Sequence, residues 1–373
     1  MSSAEKLIWG VGFPAPPDQP GRRRTTTSTT TKPQALGRPH RARLDKREPY
    51  LGWLFSGPAV LGLIVFLLIP IIAAVWVSFR DWNGIASIFD SESVGLANYR
   101  ELLTDDGVRR TDFAISLRNN LYYVLGVVPI QTIIAFVLAV ILNQKFLKGK
   151  GFFRTAYYFP SITSSIAITL IFVFLFQTNG AVNSFLPIQD IDWLDNARGV
   201  IHNFLGVFGV EDGPAFLTEN EFMGLELWDW LAGPSVAMVA IMMLVTWTSV
   251  GTFMLIFLAG LQNISPSVEE AAVVDGANSY QRFFRITIPL MRPTIFFVVT
   301  LGLIGTWQVF DQVYAGTAGG PRKTTFTPAY LIYFQAFTNS KAGLASAIAV
   351  ILFAIIMFFT WVNRKVIRDT GEF

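Results

Sequence analysis

Six apolar runs, each about as long as a bilayer is thick, constrain this sequence more than any other feature. They cover approximately residues 51–79, 119–142, 157–176, 235–261, 289–310 and 342–362. A helix rises about 1.5 Å per residue, so about 20 residues cross a hydrocarbon core of about 30 Å. The runs therefore predict an all-α integral membrane protein with six transmembrane helices.

The amino-acid composition supports a membrane protein and argues against several kinds of site. Charged residues make up 15% of the chain, whereas a soluble domain has about 25%. No cysteine is present, which excludes disulfides and thiol chemistry, and His40 and His202 are too few for a histidine-based metal site. Paired acids and nucleophile constellations are also absent from the runs. We therefore predict no catalytic residue and no metal site in this chain.

Charges in the connecting segments predict the orientation of the chain, because cytoplasmic connections carry an excess of Lys and Arg. The second connection has four basic residues and no acid: Lys145, Lys148, Lys150 and Arg154. The segment at about 177–233 is acidic, with Arg198 as its only basic residue, which predicts an external insertion. Both termini are then cytoplasmic. The basic residues of 312–341, which this scheme places outside, are an exception.

The two ends of the chain differ from its centre. Residues 1–48 are rich in Pro, Thr and Arg, which predicts a disordered, basic cytoplasmic tail. A nucleic-acid-binding tail or a twin-arginine export signal is the weaker interpretation, because the apolar run that follows is too long for a signal peptide. We expect no nucleic-acid partner, one membrane domain at 49–365, and a C-terminal cytoplasmic tail at 366–373.

The external insertion contains several tryptophans, among them Trp193, Trp228 and Trp230. We interpret them as anchors at the membrane interface, where tryptophan is enriched. The alternative is a small folded cap that contacts an external partner.

A polar segment at 265–293 separates the fourth and fifth apolar runs. Pro266 suits the first turn of a helix, and Ser267 precedes Glu270 by three residues, as in a capping box. Gly276 permits a sharp turn, and proline punctuates the next apolar run. The segment predicts a short surface helix, an elbow and a return into the membrane, exposed to a partner outside the bilayer.

The spacing within this segment resembles a known signature. Glu270-Ala271-Ala272, Gly276 three residues later, and then Ile286-x-Ile288-Pro289 are similar to the EAA motif of ATP-binding-cassette importer permeases, with Ile288 at a usual Leu position. The resemblance implies the type I importer permease fold and a coupling helix at about 265–280 that docks onto an ATPase. The coupling residues that it implies are Glu269, Glu270, Ala271, Ala272, Asp275, Gly276 and Ala277. An ordinary connecting helix is the alternative.

Further stretches resemble the maltose-type and glycerol-phosphate-type sugar permeases, over residues 50–365. The matching stretches are Asp81-Trp82-Asn83-Gly84, Gly95-Leu96-x-Asn98-Tyr99, Ala259-Gly260-Leu261-Gln262, and Gly319-Gly320-Pro321 with Thr324-Thr325 and an aromatic stretch at 330–337. The resemblance implies a bacterial cytoplasmic membrane protein in contact with membrane lipid. It also implies a second homologous permease subunit, two ATP-binding-cassette ATPase subunits and an extracytoplasmic sugar-binding protein. No phosphate-binding Gly-x4-Gly-Lys-Ser/Thr loop occurs, so we expect no cofactor in this chain and ATP and Mg in the partner ATPase.

Polar and aromatic residues within the fourth and fifth runs are candidates for a substrate path. They are Trp247, Thr248, Gly251, Thr252, Thr306, Trp307, Gln308 and Asp311, with Asn119, Asn120 and Gln131 as weaker candidates. Polar groups in apolar spans normally face a cavity or another helix, and a sugar needs both aromatic faces and directional hydrogen bonds. Helix–helix packing is the alternative interpretation.

Other functions were weighed against an importer subunit. A secondary transporter driven by an ion gradient would show internal symmetry or membrane-buried carboxylates, and the runs show little of either apart from Asp311. A membrane enzyme lacks its constellation of reactive groups. A non-transporting scaffold would leave the polar faces of the runs without a purpose.

Overall fold

The computed structural model describes residues 48–144, 146–185, 191–210 and 212–368. The predicted N-terminal tail, except for Glu48, lies outside these ranges, as do Lys145 and residues 369–373 of the predicted C-terminal tail. Two units divide between Val60 and Leu61, and the described part of the first, residues 48–60, is helical. The second unit contains the helix packing.

The described part of the chain is mainly helical. In chain order its helices are α1 (Glu48–Leu63), α2 (Ile69–Val77), α3 (Ala97–Leu103), α4 (Val108–Asn143), α5 (Lys150–Ile162), α6 (Ser165–Leu175), α7 (Ala181–Phe185), α8 (Val200–Val207), α9 (Ala215–Thr218), α10 (Leu227–Trp230), α11 (Val236–Gln262), α12 (Pro266–Val274), α13 (Ser279–Arg282), α14 (Ile288–Trp307), α15 (Asp311–Gly316), α16 (Pro328–Tyr333) and α17 (Ala342–Arg368). Wider π-helical turns at Ile64–Leu68, Phe283–Thr287 and Phe334–Thr338 and a 3₁₀ turn at Ile88–Asp90 complete the helical structure. Two antiparallel pairs form the small sheets: β1 (Arg80–Asp81) with β2 (Glu92–Ser93), and β3 (Glu221–Phe222) with β4 (Leu225–Glu226).

Among the described residues, five helices are long and apolar enough to cross a membrane: Trp53–Val77, Val108–Asn143, Val236–Gln262, Ser279–Trp307 and Ala342–Ile367. They correspond to five of the six predicted runs. Two of them begin well before the predicted run. The second begins well before residue 119, because polar side chains in its first turns find partners on neighbouring segments. The fourth begins at Ser279 rather than at Pro289, and it ends at Trp307 rather than at Phe310.

The third predicted run, 157–176, is not one straight helix. α5 and α6 meet at an angle of 97° and satisfy the length and hydropathy requirement only as a pair. Thr163 and Ser164 between them have extended backbones, with ψ of 152° and 125°. Pro160 cannot donate a helical hydrogen bond, which weakens the last turn of α5. Counting apolar residues located this run but overlooked the break within it, so the helix is bent rather than straight.

The core of the second unit lies between α4, α11, α14 and α17. Phe257 on α11 is fully buried and packs edge-to-face against Phe136 of α4, with 5.2 Å between ring centroids. At Gly260 of α11, a Cβ would lie only 2.7 Å from the hydroxyl of Thr294 on α14, so glycine permits the close approach. The amide of Asn363 on α17 donates to the Thr300 hydroxyl of α14 at 2.9 Å.

The matching stretches at 81–84 and 95–99 lie in the junction that follows α2. Asn98 donates from Nδ2 to the carbonyl oxygens of Ser78 and Arg80 at 2.9 and 3.0 Å, and the Tyr99 hydroxyl lies 2.7 Å from Ser78 Oγ. The start of α17 is held in the same place, since a Cβ on Gly343 would lie 1.9 Å from the Arg80 carbonyl oxygen. The side chains of Asn98 and Tyr99 therefore stabilise the junction between α2, α3 and α17.

The described residues of the segment at 177–233 fold into short helices and the β3–β4 pair. Trp193 is buried and donates from Nε1 to Asn183 Oδ1 at 2.8 Å. Trp228 stacks on His202 with 4.3 Å between ring centroids, and Trp230 donates to the Phe222 carbonyl at 3.1 Å. These internal contacts support the alternative of a folded cap, and the interpretation of the tryptophans as interface anchors stays a prediction.

The Asn98 hydrogen bonds lead to a stability prediction. Asn98→Ala would leave two carbonyl groups without their donor, which costs about 1–3 kcal/mol when the groups are buried. We expect the melting temperature of the detergent-purified protein to fall by about 2–4 °C for each kcal/mol lost. The matched control is Asn220→Ala, because Asn220 is exposed and bonds only to its own helical turn. Equal melting temperatures for the two variants would contradict the role of Asn98.

Candidate functional site

A cavity of about 460 Å³ lies between α4, the α5–α6 bend, α11, the last turns of α14 and the start of α15. This volume is in the range of small-molecule sites. Apolar and aromatic groups contribute part of the wall, including Tyr123 and Phe310. Polar side chains contribute the rest: Gln131, Ser161, Thr163, Ser165, Thr169, Thr248, Ser249, Thr252, Thr306, Gln308, Asp311 and Gln312.

Two side-chain hydrogen bonds tie the walls of the cavity together. Ser249 of α11 donates to Gln131 Oε1 of α4 at 2.6 Å, and Gln312 of α15 donates to Ser165 Oγ of α6 at 2.8 Å. Gln131 is only 2% exposed. It fits because Gly302 of α14 has no side chain, and a Cβ there would lie 2.7 Å from the Gln131 amide nitrogen. These bonds hold the walls in place before any ligand arrives.

Other polar groups in the lining are free to bind a ligand. Within the described residues, the side chains of Thr252, Gln308 and Asp311 make no hydrogen bond, and all three line the cavity. Gln308 and Asp311 are exposed. The cavity therefore offers an amide, a carboxylate and a hydroxyl beside aromatic surface, a combination suited to a polar ligand with an apolar face.

The structure separates the predicted path residues into two groups. Five line the cavity: Thr248, Thr252, Thr306, Gln308 and Asp311. Trp247 instead faces an apolar groove and packs against Phe172, with 5.4 Å between ring centroids. Gly251 is a packing position, where a Cβ would lie 2.0 Å from the Tyr157 carbonyl oxygen. Trp307 is 2% exposed and packs against Phe359 of α17. For these last three residues the helix-packing interpretation fits better.

Several lining residues were missed by the sequence analysis. The polar stretch 161–165 directly after Pro160 interrupts an otherwise apolar run, and that interruption was a usable signal. Gln131 had been rated only a weak candidate. Asn119 stabilises the fold instead of lining the cavity, because its amide donates to the carbonyls of Lys323 and Phe326 at 2.8 and 3.0 Å. Asn120 is fully buried with no hydrogen-bond partner among the described residues.

The polar segment after α11 forms a helix, an elbow and a second helix. Pro266 is in the first turn of α12, as predicted, but the predicted Ser267–Glu270 capping box is absent, because Ser265 is the N-cap residue. Ser267 Oγ instead lies 2.7 Å from Ser265 Oγ. A capping box forms at the start of α13, where Asn278 and Gln281 exchange side-chain-to-backbone hydrogen bonds.

The elbow is a Schellman motif, the common helix ending with a left-handed residue. Gly276 has φ +78° and donates to the Val273 carbonyl at 3.0 Å, while Ala277 donates to the Ala272 carbonyl at 2.9 Å. A side chain at this φ would be strained, which explains why glycine occupies the position.

The surface of α12 is accessible. Glu269, Glu270 and Asp275 are exposed and form no ion pair among the described residues. Val273 and Val274 are 55% and 86% exposed beside them. Of the predicted coupling residues, Ala272 is buried, Ala277 is half-buried and the other five are exposed. The helix thus presents a mixed acidic and apolar face to a partner.

Comparison with known proteins identifies the family. Residues 124–371 match the model described as binding-protein-dependent transport system inner membrane component. The lactose transport system permease protein LacF of Rhizobium radiobacter is 32% identical over 324 residues, covering 85% of this chain and 95% of that protein. The multiple sugar-binding transport system permease protein MsmF of Streptococcus mutans is 31% identical over 308 residues, covering 82% of this chain and 91% of that protein.

A solved structure supports the fold. A bacterial ABC transporter involved in the import of the acidic polysaccharide alginate matches with a TM-score of 0.62 and 18% identity, covering 87% of this chain and 98% of that chain. A membrane component of a transport system is not itself an enzyme, in agreement with the sequence analysis. The chain belongs to the family of binding-protein-dependent transport system inner membrane components, as a multi-pass membrane protein.

Proposed function

We propose that this chain is one permease subunit of an ATP-driven, binding-protein-dependent sugar importer in a bacterial cytoplasmic membrane. One observation carries the proposal: α12 lies in the segment that connects α11 to α14, and both of these helices line the polar cavity. A force on α12 would therefore reach two walls of the cavity. The names of the relatives, for lactose and for multiple sugars, support a sugar as the transported molecule.

The proposed topology has six spans with both termini inside, and the α5–α6 pair is the third span, broken at its centre. This arrangement puts α12 in the cytoplasm and the cap at 177–233 outside. It leaves basic residues in the external segment before α17, where two of them face acids. Lys323 Nζ lies 2.6 Å from Asp112 Oδ1, and Lys341 Nζ lies 3.8 Å from Asp81 Oδ1. Both lysines therefore have a structural role in this segment, and the proposed orientation rests on the other connecting segments.

We propose that the chain forms half of the translocation path and that a second homologous permease subunit forms the other half. Two ATPase subunits would bind ATP and Mg, and one of them would contact α12. Basic groups on that subunit would pair with the exposed acids of α12, Glu269, Glu270 and Asp275. Val273 and Val274 would form an apolar contact between them. Ala272 anchors α12 to its own protein, since it is the buried residue of that helix. An extracytoplasmic binding protein would deliver the sugar to the opposite face.

Inside the cavity, the chain's own residues would orient the sugar. Thr252 and Gln308 supply hydrogen-bonding groups that no other described residue occupies, and Asp311 supplies a strong acceptor for hydroxyl groups. Phe310 offers a ring face to the apolar side of a sugar. The Gln131–Ser249 bond fixes α4 against α11 while these groups bind.

An ion-gradient-driven transporter remains the alternative, and Asp311 is the observation that favours it. Asp311 is the carboxylate of the cavity lining, where a coupling proton or cation would bind. Uptake into proteoliposomes that contain the complete complex and the binding protein separates the two. Uptake by an importer requires ATP on the side of the membrane that carries the ATPase subunits, and ionophores do not reduce it. Uptake abolished by ionophores and independent of ATP would establish the alternative.

The exposed acid of α12 gives a coupling prediction. Glu270→Arg inverts the charge of an exposed residue without changing the packing of the spans. We expect sugar-stimulated ATPase activity of the reconstituted complex to fall at least tenfold, or the ATPase to be lost on co-purification, since a like-charge contact at a buried interface costs several kcal/mol. Glu219→Arg is the matched control, because Glu219 is exposed on the 177–233 segment. Identical activity of both variants would mean that α12 is only a connector.

The free polar groups of the cavity give a second prediction. Thr252→Val keeps the side-chain shape and removes one uncharged hydrogen bond, so we expect the KM for sugar to rise about 2- to 10-fold with little change in stability. Gln308→Leu should have the same effect. Thr104→Val serves as the control, because Thr104 is exposed at the end of α3 and bonds only to the Arg100 carbonyl. Uptake measured against sugar concentration would show unchanged KM for all three if the cavity is not the path.

A further inference from the structure

A cluster of aromatic rings lies in the segment between α14 and α17, and one of its members, Phe310, also lines the cavity. Phe310 and Tyr314 stack with 5.4 Å between ring centroids at the start of α15. Tyr333, at the end of α16, is 5.3 Å from Phe310 and 5.2 Å from Tyr314, and Phe337 follows at 5.3 Å from Tyr333. We define these four residues, Phe310, Tyr314, Tyr333 and Phe337, as the aromatic platform.

The aromatic platform continues the wall of the cavity. Phe310 belongs to the cavity lining, and the rings then lead away from the cavity towards the surface. Tyr314 is 44% exposed and Phe337 is 75% exposed. The rings therefore form a row from an enclosed site to an open one, with successive centroids between 5.2 and 5.4 Å apart.

Buried contacts hold the platform rigid from below. Tyr330 is 7% exposed and packs edge-to-face on Phe326, with 5.1 Å between ring centroids. Thr327 donates to the Val309 carbonyl at 3.0 Å, which joins the base of α16 to the end of α14. Gly319 leaves room for this arrangement, since a Cβ there would lie 2.5 Å from the Phe326 ring. Rings fixed in this way lose little conformational entropy when a ligand binds.

The platform also has polar edges. Tyr314 and Tyr333, whose ring centroids lie 5.2 Å apart, each carry a hydroxyl group at the edge of the ring. Tyrosine combines an apolar face with a hydrogen-bonding tip. A sugar ring has the complementary form, with C–H groups on its faces and hydroxyls around its edge. An acyl chain would use the faces and leave the hydroxyls without partners.

We propose that the aromatic platform is a second sugar subsite, which binds the rings of an oligosaccharide that extend beyond the cavity. The inference rests on the proposed function, because it assumes that the cavity holds a sugar. A disaccharide would be held within the cavity, whereas a tetrasaccharide would reach the platform. The platform then determines the length of sugar that the importer accepts, and the cavity binds the part of the sugar that short and long substrates share.

The test compares sugars of two lengths in proteoliposomes containing the full transport complex and its binding protein. The probes are maltose with maltotetraose and arabinobiose with arabinotetraose, each measured as initial uptake over a range of concentrations. The variants are Tyr314→Leu and Phe337→Leu, whose exposed rings can be removed without opening the core. We expect kcat/KM for the tetrasaccharide to fall about 3- to 10-fold for each lost ring. Disaccharide uptake should stay within about twofold, since those sugars do not reach the rings.

Control variants separate the possible outcomes. Phe358→Leu removes an exposed ring of α17 whose ring contacts are with Phe359 and Trp361, and should leave both sugar lengths unaffected. Tyr314→Phe should retain most tetrasaccharide uptake if stacking dominates. Equal loss for both lengths, or dissociation of the complex, would overturn the subsite in favour of contact with lipid or with the second permease subunit. If the wild-type complex takes up disaccharides but no tetrasaccharide, the subsite is refuted and the importer function is retained. If the wild-type complex takes up none of the probes, the subsite and the proposed sugar importer function are both refuted.

Discussion

A polar group on a membrane-embedded helix is costly unless it has a partner or faces a wet cavity, and several features of this architecture follow from that cost. Asn363 of α17 donates a hydrogen bond to Thr300 of α14, and Gln131 of α4 accepts one from Ser249 of α11. These bonds are few, and each one fixes the rotation of two helices about their axes. Groups without a protein partner, such as Thr252 and Gln308, are then left facing the one environment that can solvate them, which is the cavity.

The same constraint explains where α4 begins and why the third run bends. α4 extends to Val108 because Asp112 is paired with Lys323 and Asn119 binds carbonyls of the segment before α16, so polar residues can continue the helix. The third run breaks because Ser161–Ser165 would carry hydroxyl groups through lipid as a straight helix. Bending the backbone brings them to the cavity wall, where Ser165 accepts from Gln312.

Sequence reasoning predicted the helices, the elbow and the family, because these depend on local patterns. The apolar runs are long, Gly276 stands where a left-handed residue is needed, and the EAA spacing is specific. Facing directions were not predictable in the same way. Thr248, Gly251 and Trp247 are neighbours in sequence, yet they contact the cavity, the α5 backbone and an apolar groove, respectively. A helix puts consecutive residues on different faces, and only the packing of α4 and α5 decides which face is wet.

The elbow and the cavity are linked by continuous backbone. Helical structure runs without interruption from Ser279 to Trp307, through the π-helical turn at Phe283–Thr287, and ends beside the cavity residues Thr306 and Gln308. A Schellman ending and a capping box clamp the elbow on either side of Gly276, so α12 and α13 meet at a defined angle instead of a loose hinge. Under the proposed function, displacement of α12 would move the near end of α14, and the close packing at Gly260 would carry the movement to α11. The small residue at that crossing lets the two helices pack closely, which is the property that a coupled pair of helices needs.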